Sequence, residues 1–263
     1  TLHNTLFPYT TLFRSRGHAM KHTDPIFIGT SGWHYDHWKG PFYPEKTPSK
    51  EMLNHYIRHF RTTEINNSFY KLPSEKTLGD WRESTPEGFL FSVKASRFIT
   101  HMKKLKDPEL TLPSFLERID LLGEKLGPIL FQLPPKWRFN ADRFRRFVNE
   151  LPGEYRYVFE FRDDSWINEE SLEIMGRRGI ALCIYDMAGE TSPKETPGDF
   201  VYLRLHGPED NYGGSYDAQT LAGWTGAFSS WANMGKEIFC YFDNDEAGYA
   251  PLNAARLREM VEK

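Results

Sequence analysis

From residue 26 to the end of the chain, eight short runs rich in β-branched and aromatic residues recur at similar spacing: 26–33, 62–70, 89–96, 128–133, 157–162, 180–186, 200–206 and 237–243. Most are followed by a stretch that reads as helix. Residues 50–60 place Leu53, Tyr56, Ile57 and Phe60 on one stripe, with Ser49 as the expected N-cap. Ser74 and Asn140 stand where caps for helices over 74–81 and 140–151 belong, and further helices are expected over 114–126, 169–178, 217–233 and from 252. The segment 187–199, rich in Ser, Thr, Pro and Gly, reads as a loop. Strands that alternate with helices pair in parallel, because each crossover returns the chain to the same end of the sheet. Eight such units in 263 residues predict a single (β/α)8 TIM-type barrel with an eight-stranded parallel core. The first run ends in GTSGW, with no GxGxxG opening a helix, and no GxxxxGK[ST] occurs, so neither phosphate-cradling fingerprint is present.

Residues 1–19 have no clear period and precede Met20. NTLFPYTTLFRS within them resembles translated adapter or vector sequence, so this stretch is expected to be a disordered, non-native leader before a barrel over 20–263. A net charge of −3 makes no chain-wide case for nucleic acid. Cys183 and Cys240 both sit in apolar runs and are expected to be buried thiols rather than a disulfide or a nucleophile. No run is long and apolar enough to span a bilayer, and the expected location is the cytoplasm.

Strand side chains alternate between faces. Glu160 and Arg162 therefore share a face with Val158, Arg204 and His206 share one with Tyr202, Glu64 goes with Asn66 and Ser68, and Lys94 with Ser92 and Ser96. The helix-facing side of a barrel strand must be apolar, so these polar residues are expected to point at the barrel axis. They lie at the C-terminal ends of their strands, where barrels build active sites. Gln132 and Asp186 are expected to join them. Aromatic residues follow the strands as well, among them Tyr70, Trp166, Tyr212 and Tyr216, and suit a mouth that stacks on sugar or base rings. The competing expectation is that Glu160 with Arg162 or Arg204 is only a structural ion-pair network.

GTSGW (29–33), EINNSFY (64–70), SVKAS (92–96), FQLPP (131–135), EFRDDSW (160–166), YLRLHG (202–207), YFDND (241–245) and NAARL (253–257) together resemble the YecE-like family, domain of unknown function 72. The resemblance implies a TIM-type barrel and supplies no activity. Where the family usually reads FNN, this chain has Phe242, Asp243 and Asn244. That departure favours Asn244 over Asp243 as a ligand contact.

The leading expectation is a hydrolase-type enzyme acting on an anionic substrate, a phosphorylated sugar or a nucleic acid. Lys94, Arg162 and Arg204 would hold the anion, Glu64 or Glu160 would act as general base and His206 as acid or base. Asn66, Tyr70, Gln132, Trp166, Asp186, Tyr212, Tyr216 and Asn244 would line the substrate. No cofactor is predicted. A metal-dependent endonuclease- or isomerase-like alternative would use Glu64, Glu160, Asp186 and His206 on a divalent ion, although no paired-histidine spacing is present. A glycosidase would use the two glutamates, but arginines beside both leave no obvious acid. A non-catalytic module binding nucleic acid or another ligand is the remaining alternative. Arg204→Ala is expected to weaken anion binding while leaving the fold intact, and the Tyr212-Gly213-Gly214 stretch is expected to form a flap over the pocket.

Overall fold

A computed structural model describes residues 25–209 and 212–263. The suspect leader, 1–19, lies outside the described residues. Eight parallel strands form the barrel wall: β1 (Ile26–Thr30), β2 (Thr62–Ile65), β3 (Leu90–Lys94), β4 (Leu126–Gln132), β5 (Tyr157–Glu160), β6 (Ala181–Met187), β8 (Phe200–Leu205) and β9 (Glu237–Phe242). The two-residue β7 (Glu190–Thr191) pairs antiparallel with β6, so the segment expected to be pure loop begins with a small hairpin.

The ladder runs β1-β9-β8-β6-β5-β4-β3-β2. Its ends meet at a single bridge, Ser31 to Glu64, with Gly32 N donating to Glu64 O at 2.8 Å and Thr63 Oγ1 to Thr30 O at 3.0 Å. Gly29 permits this approach, since a Cβ there would lie 2.2 Å from the Thr62 carbonyl oxygen. The barrel is thus nearly closed, with β1 and β2 touching at their C-terminal ends.

The helices are α1 (Met52–Tyr56), α2 (Glu75–Ser84), α3 (Pro108–Thr111), α4 (Pro113–Ile119), α5 (Ala141–Asn149), α6 (Glu169–Gly176), α7 (Ala218–Asn233) and α8 (Tyr249–Val261). The caps at Ser74 and Asn140 form as expected: their side chains accept from Thr77 N and Arg143 N at 3.1 and 2.9 Å. Ser49 does not cap. It begins a 3-10 turn whose N-cap is Pro48, and α1 follows as a single short piece. The helix expected over 114–126 ends at Ile119. A 3-10 stretch then breaks at Gly123 (φ 56°), and Leu126 already belongs to β4.

Two apolar cores result. Outside the wall, Phe131 and Phe159 meet Phe147 and Phe144 of α5, with ring centroids 5.2 and 5.0 Å apart. Inside the wall sit Phe27, Leu90, Leu130, Val158, Ala181, Cys183, Phe200, Tyr202, Phe239 and Tyr241. Phe27 and Phe239 stack at 4.9 Å, and Arg61 and Arg156 cover them from below at 4.3 and 4.8 Å. Above these rings the interior turns polar. Tyr241 Oη lies 2.7 Å from both Thr62 and Ser92 hydroxyls. That hydroxyl level separates an apolar plug from the charged groups near the mouth.

Candidate active site at the barrel mouth

Arg204 is the centre of the charged level. It is 1% exposed, and its guanidinium donates to Glu64 Oε1 (2.9 and 3.1 Å), Glu160 Oε2 (3.1 Å), Asp243 Oδ2 (2.9 Å) and Ser31 Oγ (3.2 Å). The period-two alternation aims it there: β8 faces the axis with Tyr202 and Arg204 and the helices with Val201, Leu203 and Leu205. Glu64 also accepts from Tyr202 Oη at 2.6 Å and from Ser31 Oγ, and is fully buried. Glu160 accepts from Arg162 Nε at 2.5 Å and faces Cys183 Sγ at 3.6 Å. Burial opposes the charge on Glu160, but Arg162 and Arg204 outweigh it and hold the carboxyl far below the usual range.

Arg162 stacks on Tyr185, 4.4 Å from the ring centroid, and its Nη2 lies 2.9 Å from His206 Nε2. A guanidinium only donates, so Nε2 is the acceptor and the imidazole proton sits on Nδ1. His206 Nδ1 in turn lies 3.0 Å from Asp243 Oδ2. Burial and Arg204 lower the His206 pKa against the opposing pull of Asp243, which agrees with a neutral ring. Burial also opposes charge on Asp243, yet Arg204 and His206 keep its carboxyl below the ordinary value.

A cavity of about 450 Å³ opens above this lattice, lined by residues that include Asn66, Tyr70, Lys94, Tyr212 and Asp243. Lys94 makes no ion pair among the described residues. Its ammonium lies 4.6 Å from the Phe69 ring centroid, and burial, followed by Arg204, lowers its pKa. Tyr212, at φ 62° and 46% exposed, sets its ring 5.2 Å from that of His206. A further cavity, about 640 Å³, lies beside the mouth between α1 and α2, and Asn66 lines both. Asn66 Nδ2 donates to Ser31 Oγ at 2.5 Å, while its buried Oδ1, like Gln132 Oε1, has no partner among the described residues.

The structure therefore brings together Glu64, Asn66, Lys94, Glu160, Arg162, Arg204, His206 and Tyr212. Gln132 stands beside Glu160 in register, and Tyr70 is on the rim. Four expected contacts are placed elsewhere. Trp166 is 1% exposed in the helix layer, packed on Phe161 and Phe144, with Nε1 donating to Trp137 O at 2.5 Å. Asp186 shares the outward face of β6 with Leu182 and Ile184. There it accepts from Tyr216 Oη and Thr191 Oγ1 at 2.8 and 2.7 Å. Tyr216 is thereby consumed in tying its loop to β6, and it also accepts from Gly207 N at 2.9 Å. Asn244 donates to Gly214 O and Asn253 Oδ1 at 2.9 and 2.8 Å, away from the mouth. The preference for Asn244 over Asp243 is thus reversed in placement: Asp243 continues the inward face of β9 begun by Phe239 and Tyr241.

The metal set Glu64, Glu160, Asp186 and His206 is not assembled. Asp186 faces outward and Arg204 stands between the glutamates, and among the described residues no group of His, Cys, Asp and Glu is arranged for a metal. Ser31, Tyr185, Tyr202 and Asp243 are additional members of the site. Alternation applied to 180–186 puts Tyr185, not Asp186, on the face of Ala181 and Cys183.

The family model for "Protein of unknown function DUF72" matches residues 27–263. The chain belongs to this family. Among its relatives, the UPF0759 protein YunF of Bacillus subtilis is 28% identical over 273 residues, covering 90% of this chain and 95% of that protein. The UPF0759 protein YecE of Escherichia coli is 28% identical over 59% of this chain and 55% of that protein. Of solved structures, a DUF72 family protein from Thermotoga maritima aligns with TM-score 0.82 at 28% identity, over 90% of this chain and 99% of that one. A DUF72 protein from Enterococcus faecalis aligns with TM-score 0.75 at 19% identity, over 90% and 98%, a likeness of fold alone. The DUF72 match begins at β1 and so takes in every strand of the barrel. Cys183 and Cys240 are free and buried, and no helix of the described residues is long and apolar enough to cross a membrane.

Proposed function

We propose that the mouth is an active site for hydrolytic chemistry on a substrate with an anionic group. The observation that carries this reading is Lys94, a cation on the cavity wall with no ion pair among the described residues. Of the expected anion holders Lys94, Arg162 and Arg204, the two arginines have charges already matched by Glu160, Glu64 and Asp243. Lys94 keeps that role. Asp243 is the lattice carboxylate that reaches the cavity, 15% exposed. Its lowered pKa makes it a weak base, so its contribution is to orient a water or hydroxyl, with the Arg204 Nη2–H bond fixing its direction. Glu64 and Glu160 position these groups rather than react, since guanidinium and hydroxyl donors occupy them. A glycosidase gains nothing from this arrangement, because Glu160 is held ionised and cannot serve as the acid.

The test is ligand-induced stabilisation by inorganic phosphate and simple phosphate monoesters. Phosphate at about a hundred times its Kd raises stability by about 2.7 kcal/mol, and Lys94→Ala removes that gain. Asp243→Asn keeps it and loses ester turnover. Equal stabilisation of wild type and Lys94→Ala sinks the reading. Binding without turnover in the wild type favours a non-catalytic module, whose support is that the buried charges already satisfy one another.

A further inference from the structure

The loops around the mouth differ in charge. The loops after β5 and β9 carry Asp163, Asp164, Asp245 and Glu246. The loop after β3 is the opposite: from Lys94 to Lys106 it holds Lys94, Arg97, Lys103, Lys104 and Lys106 and no acidic residue. Lys103 is paired with Asp107 at 3.3 Å, but Arg97, Lys104 and Lys106 are exposed and make no ion pair among the described residues. The loop after β4 extends this surface with exposed Lys136 and Arg138 on either side of Trp137.

Aromatic rings are interleaved with these cations. Arg97 lies 6.0 Å from the Tyr70 ring, Lys103 lies 5.8 Å from Phe98, and Lys104 and Arg143 lie 5.9 and 5.8 Å from Trp137. Tyr70 and Phe98 are 75% and 44% exposed, so their rings are open to a stacking partner. Tyr70 packs edge-on against Phe69, which carries Lys94, so the surface leads into the cavity. Four of the non-glycine residues with left-handed φ, Lys104, Leu105, Asp107 and Lys136, fall in these two loops. Such conformations are costly and concentrate at functional segments.

We propose that the loops after β2, β3 and β4 bind single-stranded nucleic acid, with phosphates on Arg97, Lys104, Lys106 and Lys136, bases stacked on Tyr70 and Phe98, and the strand directed toward Lys94. Unpaired cations spaced along a loop match a phosphate backbone, and exposed ring faces match unstacked bases, which a duplex does not offer. An acidic peptide would use the cations but leave the rings idle. The net charge of −3 belongs to the whole chain, and the stretch from Lys94 to Lys106 is locally basic. The proposal deepens the anionic-substrate reading of the mouth by naming its substrate class, but its test is binding alone.

The experiment is fluorescence anisotropy of the full chain with a short labelled oligothymidylate across a potassium chloride series. Binding is expected to weaken steeply with salt. Lys104→Glu with Lys106→Glu should lower affinity at least about 10-fold and reduce the log–log salt slope by about 1.4. Phe98→Ala should weaken binding about 10-fold with the slope unchanged. Both are surface changes, and melting curves check that the fold persists. No binding at low salt, equal affinity for a duplex of the same length, or equal competition by polyglutamate would each overturn the proposal. Phosphate stabilisation dependent on Lys94 would survive any of those results, so the two readings fail separately.

Discussion

The two ends of the barrel interior are built from the same strands by opposite physics. Toward the N-terminal end, Phe27, Leu130, Val158 and Phe239 fill the axis and need only shape. Toward the C-terminal end, Glu64, Glu160, Arg204 and Asp243 fill it and need one another. Removing water from charges is costly, so the upper layer holds only because each carboxylate meets a guanidinium. The difference teaches that a buried charged cluster at a barrel mouth is not wholly a site. Most of this one is architecture, and the groups left to meet a substrate are at its upper edge: Lys94, Asp243, Tyr212 and Asn66.

The comparison breaks most visibly at Arg204. Arg204→Ala leaves the buried Glu64 without a cation and takes one partner from Glu160 and from Asp243, and is expected to cost about 3–5 kcal/mol. The expectation from sequence, that this change spares the fold, is replaced for that reason. In the apolar half, Leu130→Ala is expected to cost about 2–5 kcal/mol through a cavity. Equal costs would not make the halves alike, because their pH dependence differs. Stranded carboxylates have raised pKa values in the folded state and gain protons as pH falls, so the Arg204→Ala deficit should shrink between neutrality and about pH 4. The Leu130→Ala deficit should stay constant. Urea denaturation of both variants at several pH values measures this, and parallel curves would refute the division.

How much of this was legible in the sequence follows from the same contrast. The fold was, because apolar alternation and turn chemistry are local signals. Inward charge at Glu64, Glu160 and Arg204 was also legible, because period two needs only a strand. The expected strands overran their ends, however. β2 stops at Ile65, and Ser68 lies in a 3-10 turn, donating to Ile65 O and Lys94 O at 3.0 and 2.6 Å instead of entering the mouth. Trp166, Tyr216 and Asn244 depend on which loop folds back on which helix, and no local period encodes that. Asp186 was decidable: it alternates with Ile184 and Leu182, and an outward acid needs only the partners Tyr216 and Thr191 supply.

A smaller effect separates scaffold from edge within the upper layer. Lys94→Met should change the stability of the free protein by less than about 1 kcal/mol, since no ion pair is lost among the described residues and a desolvated charge is removed. A loss as large as that of Arg204→Ala would place Lys94 in the scaffold and undercut its role as the anion holder.

The smallest expected effect is at His206. Its folded pKa lies below the ordinary value, so below about pH 6.5 the unfolded chain binds more protons and stability falls with acid. His55, His59 and His101 are shifted the same way and add to the slope, so only a difference isolates His206. His206→Gln should flatten the unfolding free energy against pH between about 6.5 and 5, by at most about 1.4 kcal/mol per unit. It leaves in place the steeper loss near pH 4 and below, where Glu160 and Asp243 of the unfolded chain take up protons that the folded protein does not. An unchanged slope above pH 5 would mean the ring is charged in the folded protein. Both ring nitrogens would then carry a proton, and Arg162 could no longer donate to Nε2.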